Sequence, residues 1–271
     1  MPAIGRLRYL EAPPRPSTSS GRERLRGTLV LIHAFPVNAR MWEPQLALAD
    51  AGWRVVAPQL RGVDGGREPA DVSSIDDYAG DVIDLLDALH IHEAVIGGVS
   101  MGGYVAFAIF RHAPSYFQGL ILGDTRPQAD TPEGVEGRKR MLALVREKGP
   151  AAVADEMLPK LLGPETRERH PEIVNRVRAL ILSNSPESIA AAITALMTRP
   201  DSTPLLAQIH CPTLIVAGKD DTVTPPSISE AMHRAIAGSE LVILEGAGHL
   251  SNVEQPAAFN TALARFLEHR V

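Results

Sequence analysis

Short, uninterrupted apolar runs alternate along the chain with longer stretches in which apolar residues return every three or four positions. Thr28 to Ile32, Ala94 to Ile96, Gly119 to Gly123, Thr213 to Ala217 and Leu241 to Leu244 have strand length and are rich in Val, Ile and Leu, as strands buried on both faces are. A first strand is expected near Arg6 to Leu10. Ser74-Ile75-Asp76-Asp77 reads as a capping box that opens a helix, and Tyr78, Val82, Leu85, Leu86 and Leu89 share one face of it. Tyr104 to Phe110 is an unbroken helical stretch, Pro225-Pro226 starts another helix, and a closing helix ends near His269. Ala12 to Gly27, rich in Pro, Ser and Arg and without periodicity, reads as an exposed connection.

One interval breaks the alternation. After the strand that ends at Asp124, the next convincing strand begins only at Thr213, too far for a loop. From Arg126 to Pro200 the pattern is helical: Met141 to Val145, Val153 to Leu162, then Ile173, Val177, Leu180 and Ile181, then Ile189, Ile193, Leu196 and Met197. Residues 126–200 are therefore expected to form an all-helical insertion between two halves of a core, 1–125 and 201–271.

The turns that follow the strands carry the chemistry. Gly98-Val99-Ser100-Met101-Gly102 lies between a strand and a helix, the setting of a nucleophile elbow, where glycines flank a strained serine whose hydroxyl is pushed out of the sheet. The Met101 amide, at the helix N-terminus, is placed to stabilise an oxyanion. Thr213 to Ala217 runs into the acidic loop Gly218-Lys219-Asp220-Asp221, and Leu241 to Leu244 into Gly246-Ala247-Gly248-His249. Serine, acid and histidine thus follow in the order Ser100, Asp221, His249, each at a strand's carboxyl end, an order foreign to chymotrypsin-like and subtilisin-like enzymes.

In these motifs the chain resembles the α/β-hydrolase superfamily, from Thr28 to near His269. The resemblance implies a mostly parallel central sheet flanked by helices, with the helical insertion as a cap over the strands' carboxyl ends. His33-Ala34-Phe35-Pro36 resembles the turn that supplies the second oxyanion donor, which implies the Phe35 amide. Ala34 stands where the family usually has glycine, so either the backbone there avoids positive φ or the family preference concerns space. His33 itself is expected to be structural. Family spacing selects Asp221 over Asp220 as the acid, with Asp124 as runner-up. Met41 to Leu46, Pro58 to Gly62, Gly98 to Gly103 and Asp221 to Pro225 look most like 3-oxoadipate enol-lactonases and neighbouring small-molecule esterases, although Gln59 replaces the more usual aspartate.

The implied activity is hydrolysis of small-molecule carboxylic esters through an acyl-enzyme on Ser100. Alternatives are an enol-lactonase acting on a carboxylate-bearing lactone, a cofactor-free perhydrolase, and a ligand receptor of the same fold that has lost hydrolysis. Met157, Leu158, Leu161 and Leu162 would suit the apolar ceiling of a pocket. Arg126 is placed either to hold a substrate carboxylate or to pair with Asp124 or another acid at the hinge of the insertion and fix the loop.

Composition narrows this further. The 271 residues are 45% hydrophobic, enough for one core without disulfides. The single cysteine, Cys211, is expected to be a buried apolar residue and not a nucleophile. A net charge of −5 gives no basic footprint for nucleic acid or anionic membrane. Met1 to Tyr9 holds no apolar run of signal-peptide length, and no segment reaches about eighteen apolar residues, so a cytoplasmic protein is expected. No nucleotide-binding glycine motif occurs, His90-Ile91-His92 lacks a third metal ligand, and neither metal nor organic cofactor is implied. Arg138-Lys139-Arg140 reads as a solvated helix face.

Overall fold

The computed structural model describes residues 1–4, 7–14, 25–62 and 72–271. Its strands are β1 (Ala3–Ile4), β2 (Leu7–Ala12), β3 (Gly27–Ile32), β4 (Trp53–Gln59), β5 (Ala94–Val99), β6 (Phe117–Gly123), β7 (Thr213–Gly218) and β8 (Glu240–Leu244). They form one sheet in the order β1-β2-β4-β3-β5-β6-β7-β8, antiparallel at the β1–β2 and β2–β4 pairs and parallel elsewhere. β5 and β7 are buried at every position, which is why their sequences are continuous apolar runs. Of the expected connection between β2 and β3, residues 15–24 lie outside the described residues, as does Arg6.

Register brings the functional turns together. Val99 pairs with Gly123, Gly123 with Val216, and Gly218 with Leu244, so the chain leaves β5, β6, β7 and β8 at neighbouring points on one edge. Open parallel sheets place their crevice there.

The helices are α1 (Ile75–Ala88), α2 (Met101–His112), α3 (Pro132–Leu161), α4 (Pro164–Arg169), α5 (Pro171–Leu182), α6 (Pro186–Met197), α7 (Pro226–Ala235), α8 (Ser251–Glu254) and α9 (Pro256–His269). The expected capping box is formed: the Ser74 hydroxyl accepts from the Asp77 amide, and the Asp77 carboxylate from the Ser74 amide. Pro opens α3, α4, α5, α6, α7 and α9, using the position where a missing N–H costs nothing. α3 breaks at Gly149, whose φ is 73°.

The interval between β6 and β7 is helical, as its periodicity predicts. α3 packs on α5 and α6 through a core that includes Val145, Val153, Val177, Ile181 and Ile193. The segment begins and ends at one seam, where the Ser202 amide donates to the Pro127 carbonyl at 2.8 Å and Arg199 to the Gln128 carbonyl at 3.1 Å. No single described helix is long and apolar enough to cross a membrane.

Candidate active site

Ser100 sits at the β5–α2 turn with φ 55° and ψ −114°, a strained conformation for a side chain, costing on the order of 1–3 kcal/mol. Close packing holds it there. A Cβ on Gly98 would lie 2.3 Å from the Gly102 carbonyl carbon, and one on Gly102 only 2.0 Å from the Ile32 oxygen. The Ser100 amide donates to Gly123 at 2.9 Å, and its carbonyl accepts from the Thr125 hydroxyl at 2.8 Å.

The Ser100 hydroxyl is 2.8 Å from His249 Nε2, and His249 Nδ1 is 2.8 Å from Asp221 Oδ2. Because Nδ1 faces a carboxylate it carries the proton, leaving Nε2 to accept from Ser100. Asp221 is itself fixed: Oδ1 accepts from the amides of Val223 and Thr224 at 2.7 and 2.9 Å, and Oδ2 from the Thr224 hydroxyl at 2.6 Å. Burial alone would raise its pKa, but the bonds from His249 and Thr224 outweigh it and hold the carboxyl below its ordinary range. Asp220 is exposed.

Asp124 makes no bond to His249. It is fully buried with φ 42°, and accepts from the Gly218 amide at 2.7 Å and from the Ser251 hydroxyl and amide at 2.5 and 3.2 Å. It thereby fastens the end of β6 to the acid loop and to the start of α8. Burial and the nearby Asp221 charge push its pKa well up. Of the alternatives for Arg126, the pair with Asp124 does not form, because Asp124 lies inside and Arg126 instead donates to the Val223 carbonyl.

Ser100 and His249 open into a cavity of about 320 Å³, which Phe35 and Met101 also line. Ala34 is not among the residues with positive φ, so the backbone there has no need of glycine. His33 is fully buried, donating from Nδ1 to the Ala34 carbonyl and accepting at Nε2 from the Leu60 amide, and burial pushes its pKa down to about 4. It is a neutral structural histidine. Cys211 is half-buried, and burial pushes its thiol up.

The helical segment supplies the other wall. Met157 lines the cavity, but Leu158, Leu161 and Leu162 do not. The reason is helical spacing: Ala154, Leu158 and Leu161 form one buried face of α3, while Glu156, Met157 and Lys160 face the cavity. Gly134, Gly137, Arg138 and Met141 repeat that spacing one stretch earlier. Of the run expected to be solvated, Lys139, paired with Glu136, and Arg140 are exposed, Arg140 at the cavity's rim, whereas Arg138 is half-buried in the cavity lining. Arg138 donates to Asp130 at 3.2 Å and lies 6.0 Å from the Phe35 ring centre. The lining thus carries four cations, Arg126, Arg138, Arg140 and Lys160, against two carboxylates, Asp130 and Glu156. Among the described residues no group of three His, Cys, Asp or Glu side chains is placed to hold a metal ion.

Comparison with known proteins fits this geometry. A model of the alpha/beta hydrolase family matches residues 29–262. The chain belongs to that family. This hydrolase is 33% identical over 238 residues to 3-oxoadipate enol-lactonase 2 of Acinetobacter baylyi, covering 88% of this chain and 87% of that one. Among solved structures it is similar to a malate-bound thermophilic esterase from Thermogutta terrifontis, with a TM-score of 0.89 and 38% identity over 97% of this chain and 93% of the other. It is also similar to an enol-lactonase from Burkholderia xenovorans, with a TM-score of 0.84 and 27% identity over 97% and 96%.

Proposed function

We propose that this hydrolase cleaves carboxylic esters of small molecules through an acyl-enzyme on Ser100, with residues 126–200 acting as a cap over the site. The observation that carries the reading is the unbroken chain of 2.8 Å bonds from Ser100 through His249 to Asp221, opening into the cavity. His249 Nε2 takes the Ser100 proton as the oxygen attacks the ester carbonyl, and Asp221 stabilises the imidazolium. The amides of Phe35 and Met101 hold the oxyanion. The imidazolium then protonates the leaving alcohol, and a water deprotonated by His249 releases the acid. Ser100→Ala should lower kcat by a factor on the order of 10⁴ to 10⁶ and abolish fluorophosphonate labelling with folding unchanged. Labelling elsewhere with activity retained would overturn the assignment.

A second reading narrows the substrate to an ester or lactone that carries its own carboxylate, as an enol-lactonase would require. Four cations face two carboxylates in the cavity, and neither Arg126 nor Arg140 is hydrogen-bonded to a carboxylate among the described residues. The similar enol-lactonases and the malate-bound esterase, malate being a dicarboxylate, support the same direction.

A further inference from the structure

Glu254, at the end of α8, is 5% exposed, yet no cation is bonded to it among the described residues. Its two oxygens go in two directions. Oε1 accepts from the Gly248 amide at 2.8 Å, and Oε2 from the Gly163 amide at 2.7 Å. The Thr166 hydroxyl bonds to it as well, and burial, outweighing these bonds, pushes its carboxyl above the usual range. A carboxylate buried without a cation is costly to keep charged, so its position has to be held by donors on all sides.

Those donors join two parts of the site. Gly248 immediately precedes His249, and Gly163 lies at the join of α3 and α4 in the helical segment. The backbones meet directly: a Cβ on Gly248 would be 2.5 Å from the Gly163 nitrogen, and one on Gly218 only 2.0 Å from the Gly248 oxygen. On the other side of the histidine, the Leu250 amide donates to the Leu161 carbonyl at 3.1 Å. His249 is thus suspended between two amides that are both fastened, one of them through Glu254, to the end of α3.

We infer that Glu254 is a positioning residue, coupling the helical segment to the line from Asp221 to Ser100 along which His249 must lie. The inference rests on the triad proposed above. Glu254 is not among the residues that line the cavity; it acts by holding the Gly248 amide, and hence the ring, while the helical segment supplies the fixed point. A glutamine in its place keeps one acceptor and turns an N–H₂ group toward an N–H donor, so one of the two ties is lost.

The experiment compares wild type with Glu254→Gln in the full chain. It reads kcat and KM on a neutral ester, the unfolding midpoint, and the proton resonance of His249 Nδ1 in its bond to Asp221. Glu254→Gln should lower kcat by roughly ten- to a hundredfold, leave KM within about twofold, and shift or broaden the Nδ1 resonance. Thr166→Val, which deletes a single donor on the segment side, should change the same three readouts in the same direction by less, and it carries the test if Glu254→Gln does not fold. A lowered midpoint with kcat and the Nδ1 resonance as in wild type would overturn the inference and leave Glu254 a packing residue. Absence of the Asp221-bonded Nδ1 resonance from wild type would instead overturn the triad reading beneath it.

Discussion

Asp221→Asn tests the geometry most directly, because the neighbours of Asp221 decide which way the new amide must face. Oδ1 accepts two backbone N–H groups, from Val223 and Thr224, so the carbonyl oxygen of the introduced amide takes that side. The N–H₂ group then replaces Oδ2 and points at the Thr224 hydroxyl and His249 Nδ1. Thr224 can rotate its hydroxyl and accept, but Nδ1 can accept only if the imidazole moves its proton to Nε2. Nε2 then donates and can no longer take the proton of Ser100. The expected loss in kcat is on the order of 10⁴, about 5.5 kcal/mol of transition-state stabilisation, with little change in folding. The assay is turnover of a neutral ester by the variant beside Asp220→Asn, which should lose little, and Asp124→Asn. The last removes a tie to Gly218 or Ser251 and should cost stability more than turnover. A crippled, stably folded Asp124→Asn together with a mild Asp221→Asn would refute the reasoning.

His33 sets a pH dependence of stability. The unfolded chain binds its proton near pH 6.5 but the folded chain only near pH 4, so this residue costs nothing above pH 6.5 and progressively destabilises the fold as pH falls toward 4, by up to about 3 kcal/mol. Asp124 and Glu254, whose pKa values are raised, act with the opposite sign, so the contribution is read as the difference between the urea midpoints of wild type and His33→Asn at pH 7 and at pH 4.5; parallel slopes would exclude it. Arg126→Ala should raise KM for a carboxylate-bearing ester by roughly tenfold or more while leaving a neutral ester of the same size unchanged. Equal effects on both would remove Arg126 from substrate recognition.

The strands, the elbow and the order of the three polar residues are readable because each is a local pattern: an apolar run, a glycine turn, and a side chain placed at its end. β4 is not, because Pro58 lies inside it; paired with Tyr9 of β2, it interrupts the usual donor pattern of a strand. Periodicity identifies the helices between Arg126 and Pro200 but not what their faces meet. Leu158 and Leu161 share a face with Ala154 and turn inward, while Arg138, which reads as solvated, is half-buried where α3 borders the cavity. Glu254 gives no signal. A lone acid in a short helix acquires its meaning only when Gly163 arrives from another part of the chain, 91 residues away.

The seam at Pro127 and Ser202 lets the helical segment leave and rejoin the sheet at one place. β6 and β7 pair from Leu120–Thr213 to Gly123–Val216 although the whole segment intervenes, and its two ends are hydrogen-bonded to each other where it leaves the sheet. The sheet therefore does not sense how long the excursion is. Each doubling of a flexible connection adds only about 0.6 kcal/mol to its closure. Helices can be lengthened or exchanged within this segment without shifting strand register, so the cavity wall can be remodelled for a new substrate, provided that the join at Leu161 and Gly163, which fastens the loop carrying His249, is kept.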